Sequence, residues 1–309
     1  MRIRVLLAGL LYMTVQIMPA AAASAAAPSP EKLQLASVHA VVRDLAAGET
    51  LYRKFADVPV PMASVTKVMT AMVVLDGGQP LDEWLTIVDW NRDLQKNAYS
   101  RLRIGSQAKR GELLRIALMS SENLATNVLA SHYPGGFKAF IAAMNAKAES
   151  LGMNQTRFVD PAGLSPDNHA SADDLARMLQ AAYGYETIRQ LSTGYQHTAR
   201  FRKPRYALGY GNTNPLVASS RWNLALTKTG YLSEAGRCLV MVTEVDGRPV
   251  AMVLLNSFGT RTPLGDAGRV RRWLTTGNGG TVAGPALAHE RRRTQALQQA
   301  RAPSEAAVR

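Results

Sequence analysis

Met62 to Asp76 reads M-A-S-V-T-K-V-M-T-A-M-V-V-L-D. From Val65 to Leu75 the run is almost wholly apolar, the pattern of a helix buried on every side. Lys67 is the only charge between Ser64 and Leu75. On a helix, residues i and i+3 share a face, so the Ser64 hydroxyl and the Lys67 amine can meet. Apolar surroundings disfavour an ammonium and lower the lysine pKa. A neutral lysine can take the serine proton, which gives a nucleophile activated without histidine.

The S-x-x-K pattern occurs three times, so alone it is weak. Ser29-Pro30-Glu31-Lys32 abuts the processing region, and Ser106-Gln107-Ala108-Lys109 lies in a polar stretch between Gly105 and Gly111. Both read as solvated surface. Only Ser64 opens an apolar helix. Further along, Ser121-Glu122-Asn123 is the only S-x-N, ahead of a helical N-L-A-T-N-V-L-A. Lys228-Thr229-Gly230 is the only K-[ST]-G, and it reads as the end of a strand whose glycine leaves room for a ligand backbone. Taken singly, these triplets are also an ordinary helix N-cap and an ordinary strand end. Together, in this order, on helix, loop-to-helix and strand, they read as one site.

Other chemistries find less support. There is no G-K-[ST] phosphate loop and no H-E-x-x-H, and the five histidines are scattered. A Ser-His-Asp arrangement stays open, but no G-x-S-x-G elbow favours it. The lone Cys238 forbids an intrachain disulfide framework and a cysteine-cluster metal site. It reads as a small core residue ten positions past the K-T-G.

Around this centre the chain of 309 residues divides into three parts. Residues 1–23 read as a secretory leader, with cleavage after Ala27 as the alternative. Arg2 and Arg4 precede the apolar Val5 to Met18, and small residues follow. Residues 36–276 read as one catalytic domain. Ser37 to Asp44 and Glu49 to Lys54 are predicted strands; helices follow between about Ala63 and Leu191, including one capped by Ser171. Trp222 to Lys228, Cys238 to Val245 and Val250 to Asn256 are predicted strands, the last two joined by an Asp246-Gly247 turn. A last helix covers roughly Pro263 to Leu274. Residues 277–309, rich in Gly, Ala, Arg and Gln, read as a poorly ordered basic tail. The expected fold is α+β: an antiparallel sheet built from both chain ends, flanked by helices, beside an all-helical lobe. A cleft between sheet and lobe is a favoured place for a site.

The net charge of +13 invites nucleic acid as a partner, but its distribution argues otherwise. The leader takes Arg2 and Arg4, and the tail holds five Arg and two Glu, which leaves +8 on the folded region. An exported protein has little call to meet nucleic acid. Beyond the leader, no other stretch approaches the ~18 apolar residues of a spanning helix. Leu287, Leu297 and Val308 are thin provision for a membrane anchor.

The order and spacing of the three motifs resembles the penicillin-recognising serine acyl-transferases, which comprise penicillin-binding proteins and serine β-lactamases. Met62 to Asp76, A-L-M-S-S-E-N (Ala117 to Asn123), H-Y-P-G-G (His132 to Gly136), A-M-N-A-K-A-E-S-L-G-M (Ala143 to Met153) and L-T-K-T-G-Y (Leu226 to Tyr231) are similar to the low-molecular-mass D-alanyl-D-alanine peptidases. The glutamate inside S-E-N resembles their endopeptidase branch, the penicillin-binding protein 7 type. The likeness spans roughly residues 36–275 and implies the β-lactamase/transpeptidase-like fold. It implies Ser64 as nucleophile, Lys67 as general base and Ser121 as proton relay to the leaving amine. It implies that Asn123 binds the substrate amide and helps place Lys67. Lys228 and Thr229 would bind the carboxylate beside the scissile bond, and Gly230 would let substrate lie along the strand. The backbone N–H groups of Ser64 and Tyr231 would form the oxyanion hole. Asp160-Pro161-Ala162-Gly163-Leu164 also resembles a family segment, with Gly163 supporting a turn.

The implied activity is hydrolysis of D-Ala-containing cross-links between peptidoglycan stem peptides in the periplasm. β-Lactams would be covalent inhibitors, and no metal or cofactor is implied. A D-alanyl-D-alanine carboxypeptidase is the alternative. A β-lactamase fits less well, because no E-x-x-L-N lies between Ser121 and Lys228 to supply a deacylating glutamate. A non-catalytic penicillin-binding sensor fits less well too, because no motif member is missing.

Overall fold

Alternation along the first two predicted strands builds the start of a sheet. The computed structural model describes residues 28–89 and 99–306. The leader, as read from residues 1–23 or 1–27, lies outside these residues. β1 (His39–Asp44) and β2 (Glu49–Lys54) form an antiparallel hairpin. After β3 (Val60–Pro61), a 3-10 turn at Ala63–Thr66 leads into α1 (Lys67–Asp76). β4 (Trp84–Thr86) and β5 (Gln107–Lys109) pair with each other ahead of α2 (Arg110–Met119), α3 (Asn123–Ser131) and α4 (Gly136–Ser150). β6 (His169–Ala170), α5 (Ala172–Tyr183) and α6 (Glu186–Thr193) complete the helical part. A hairpin of β7 (Gln196–Phe201) and β8 (Tyr206–Gly211) follows. The chain ends in β9 (Leu224–Leu232), β10 (Gly236–Val245), β11 (Arg248–Ser257), α7 (Thr262–Thr276) and α8 (Gly284–Ala306).

The main sheet has the order β2-β1-β11-β10-β9, antiparallel throughout. Both chain ends therefore meet in one sheet, as the strand pattern predicted. Side chains of β1, β10 and β11 alternate between its faces. Val41, Val240, Val242, Ala251, Val253 and Leu255 join the core shared with the helical lobe. Ala40, Val42, Leu239, Met241, Met252 and Leu254 pack under Ala267, Val270 and Trp273 of α7. This is the period-2 signature of a sheet covered on both faces. At the β10–β11 turn, Asp246 (φ 50°) and Gly247 (φ 75°) both take the left-handed conformation that a two-residue hairpin requires.

The apolar run that opened the reading becomes the axis of the lobe. Lys67 through Val74 are all buried in α1, against α2, α3, α4, α5 and α6. α5 starts where Ser171 was expected to cap it, its side chain accepting from Asp174 N at 3.1 Å.

Four readings change. The helix predicted from Val65 starts as a 3-10 turn, so Ser64 sits on that turn and Lys67 begins the α-helix. β9 continues through Lys228-Thr229-Gly230 to Leu232 instead of ending there. Ser106, expected on the surface, is fully buried: its hydroxyl donates to Arg103 O and pairs with the Tyr206 hydroxyl. Residues 284–306 of the expected disordered tail form α8. Ala286 and Glu290 of α8 are buried one turn apart, and Glu290 pairs with Lys54 at 2.9 Å. The His289 ring lies 5.5 Å from that of Phe258. A few contacts on one face thus hold a helix whose composition is otherwise polar.

Candidate active site

The 3-10 turn explains why Ser64 and Lys67 meet. With three residues per turn, positions i and i+3 lie directly above one another. Lys67 Nζ lies 3.0 Å from Ser64 Oγ, within hydrogen-bonding distance. It donates to Asn123 Oδ1 at 2.7 Å and to Ala162 O at 2.6 Å. The lysine is 1% exposed, and burial pushes its pKa down to about 7 against the opposing pull of Asp160 and Glu122.

These contacts define the geometry of the neutral amine. A neutral –NH₂ has two N–H groups and one lone pair. Asn123 Oδ1 and Ala162 O offer only acceptors, so they take the two N–H groups. The lone pair then faces Ser64 Oγ, the one partner able to donate.

Two loops enforce this arrangement. The Asp160 carboxylate accepts from the backbone N–H of Ala162, Gly163, Leu164 and Ser165 at 2.6–3.2 Å. It thereby folds the loop that presents Ala162 O. Gly163 follows at φ 75°, where an added Cβ would lie 1.9 Å from Ala63 O. Only glycine allows the loop to seat against the Ser64 turn. On the other side, Glu122 caps α3 by accepting from Ala125 N at 2.8 Å. Asn123 is then held at the first position of the helix. Ala63 (φ 49°) and Ser121 (φ 61°), both non-glycine, adopt left-handed backbone. Such strain concentrates at sites that the surrounding structure over-determines.

β9 brings the third motif. Lys228, Thr229 and Gly230 lie beside the Ser64 turn, and this strand has no further neighbour in the main sheet beyond it. A Cβ on Gly230 would sit 3.1 Å from Ala63 Cβ and Ser64 N and 3.2 Å from Met62 O. The glycine thus lets β9 approach the serine turn; the room expected for substrate on that side is filled by protein. Lys228 is 1% exposed, with Nζ donating to Thr229 O at 2.8 Å. Burial, and then the nearby Lys67, push its pKa well down. Thr229 Oγ1 donates to Thr213 Oγ1 at 2.7 Å.

Ser64, Ser121, Asn123, Thr229, Gly230 and Tyr231 line one open cleft of about 470 Å³. Six of the eight residues singled out in the sequence therefore face a common space, and the two lysines lie buried behind it. Ser121 lines the cleft but is not a partner of Lys67. Cys238 borders the same space, buried, with desolvation raising its thiol to about 11. It is no nucleophile near neutral pH. The sequence reading gave no role to Ala162 O. A carbonyl is common to every residue, so only the glycine after it could have drawn attention to that loop. Among the described residues no cluster of His, Cys, Asp or Glu has the makings of a metal site.

Residues 22–259 match the model of the S11 peptidase family, described as D-alanyl-D-alanine carboxypeptidase. A D-alanyl-D-alanine endopeptidase of Pseudomonas aeruginosa is 46% identical over 95% of both chains. One of Escherichia coli is 46% identical over 92% of both. Among solved structures, a variant of a Streptomyces DD-transpeptidase superposes with a TM-score of 0.72 at 28% identity, covering 79% of this chain and 99% of that one.

Proposed function

Because the chain belongs to the S11 family of D-alanyl-D-alanine peptidases, we propose that it is a serine endopeptidase cleaving D-alanyl cross-links between peptidoglycan stem peptides. The observation that carries the chemistry is the buried Lys67 amine with its three partners, 3.0 Å from Ser64 Oγ. The endopeptidase specificity rests on the two relatives at 46% identity.

In this reading the Lys67 lone pair takes the Ser64 proton as Oγ attacks the carbonyl of the scissile D-alanyl bond. The tetrahedral oxyanion is held by the backbone N–H groups of Ser64 and Tyr231; such donors are worth about 10²–10³ in rate. The proton returns through Ser121 to the departing amine, the C–N bond breaks, and an ester to Ser64 remains. Water then attacks the ester, giving up a proton to the same base, and frees the carboxylic acid and the serine. Asn123 orients both Lys67 and the substrate amide. Thr229 meets the carboxylate beside the scissile bond, with the Lys228 amine, which donates to Thr229 O, directly behind it. β-Lactams would acylate Ser64 by the same attack and persist as adducts.

The segment read as a secretory leader, Arg2 and Arg4 ahead of the apolar Val5 to Met18, supports a periplasmic site for this activity. Among the described residues no helix is long and apolar enough to cross a membrane.

Digestion of purified muropeptides tests the reading. Cross-linked dimers should fall to monomers with the wild-type protein and stay intact with Ser64→Ala. If dimers persist while monomeric pentapeptides lose their terminal D-Ala, the protein is a carboxypeptidase instead.

A further inference from the structure

Beside the catalytic cleft lies a second cavity, of about 280 Å³, in which Ser121, Glu122 and Asn123 meet residues outside the three motifs. It shares Ser121 and Asn123 with the catalytic cleft. Its other walls include Arg101, Glu122, Tyr210 and the two glycines of β8.

Arg101 is the one side chain here that can only donate. The Arg101 guanidinium stacks over the Tyr210 ring at 4.7 Å, and its Nη2 donates to Gly209 O at 2.7 Å. These two contacts fix the plane of the guanidinium and leave further N–H groups for a ligand. The Tyr210 hydroxyl is buried, with Arg101 close by but no partner at hydrogen-bond geometry among the described residues. A buried polar group left unmatched in this way asks for a partner. Gly209 and Gly211 keep the wall open, since a Cβ on either would meet nothing within 4 Å. Their carbonyls are already taken by Arg101 and by the Ser120 hydroxyl. Glu122 is the one acid in the lining, and its carboxyl is engaged by Ala125 N at 2.8 Å and by the Ser100 side chain.

We propose that this cavity is a carboxylate subsite: Arg101 and the Tyr210 hydroxyl bind a carboxylate of the peptide that runs past Ser121 from the scissile bond. The proposal rests on the peptidase reading and adds to it a specificity contact remote from the reacting atoms. Two convergent donors, one of them a planar cation, match the two oxygens of a carboxylate. The carboxylate concerned is distinct from the one assigned to Thr229 and Lys228.

The test measures binding with the full exported chain carrying Ser64→Ala, which removes turnover. The probes are a cross-linked peptide dimer with free stem carboxylates and the same dimer amidated at every carboxylate except that beside the scissile bond. The Ser64→Ala protein should bind the free-carboxylate dimer about 10–100-fold more tightly than the amidated one. Adding Arg101→Ala should erase that preference by weakening the free-carboxylate dimer alone. Adding Arg101→Lys, which keeps the charge but loses the fork, should leave an intermediate preference. Equal binding of the two dimers by the Ser64→Ala protein overturns the subsite. So does a preference that survives both Arg101 variants. Wild-type protein that leaves dimers uncleaved, while the Ser64→Ala preference depends on Arg101, overturns the endopeptidase reading and sustains the subsite.

Discussion

At the scale of single residues, catalysis turns on which protonation state of Lys67 is populated. The amine is desolvated and its pKa falls to about 7. The active form is the neutral one, so acylation should increase as pH rises through about 7 and fade below it. A stopped-flow titration with a fluorescent penicillin would show this as a single ascending limb. Lys67→Arg keeps a cation that cannot deprotonate in a protein. It should lower the acylation rate by the ~10²–10⁴-fold that a positioned general base supplies. An ascending limb that stays put in the arginine variant would assign the titration to another group.

At the scale of elements, the site is a junction of a turn, a helix start and a strand edge, and the fit is tightest at Gly230. A Cβ there must displace Ala63, Ser64 N or Met62 O by a few tenths of an ångström. Gly230→Ala should therefore fold, with a midpoint of thermal melting close to wild type, because β9 pairs only with β10 and can shift. Its acylation rate should drop by as much as about 10²-fold, the cost of a small misplacement of reacting groups. An acylation rate equal to wild type would mean that the strand is not seated against the serine turn in solution.

The same elements show what could be read in advance. β1, β10, β11 and α1 were legible because each carries one strong signal: alternation, an Asp-Gly turn, an almost wholly apolar run. The 3-10 turn under Ser64 was not, since periods of 3.0 and 3.6 scarcely diverge over four residues. The β7–β8 hairpin escaped because only Ala199, Phe201 and Tyr210 are buried along its two strands. α8 escaped because its stability comes from contacts with Lys54 and Phe258, far away in sequence. The three motifs were legible as residue types. The role of Gly230 as a packing contact was not, because glycine records only that a side chain is missing.

At the scale of the whole molecule, the strand that carries Lys228 keeps its position only if the two chain ends close into one sheet. Pairing of β1 with β11 achieves this, and Asp266 of α7 locks it from outside the sheet. Its carboxylate, fully buried, accepts from Ala36 N at 3.1 Å and from Ser37 N and Ser37 Oγ at 2.6 Å each. Arg269 Nη1 donates to it at 2.9 Å and is itself largely covered. Asp266→Ala strands two buried backbone N–H groups and a guanidinium at once. Removing one partner of a buried ion pair costs about 3–5 kcal/mol. Urea denaturation should show a loss of that size. Asp266→Asn should lose less, because its amide oxygen still accepts while its –NH₂ faces donors. Below the transition, both variants should be acylated by penicillin at the wild-type rate, because Asp266 is not among the residues that line the Ser64 cleft. A stable but slowly acylated Asp266→Ala would mean that α7 positions the reacting groups and does not simply close the sheet.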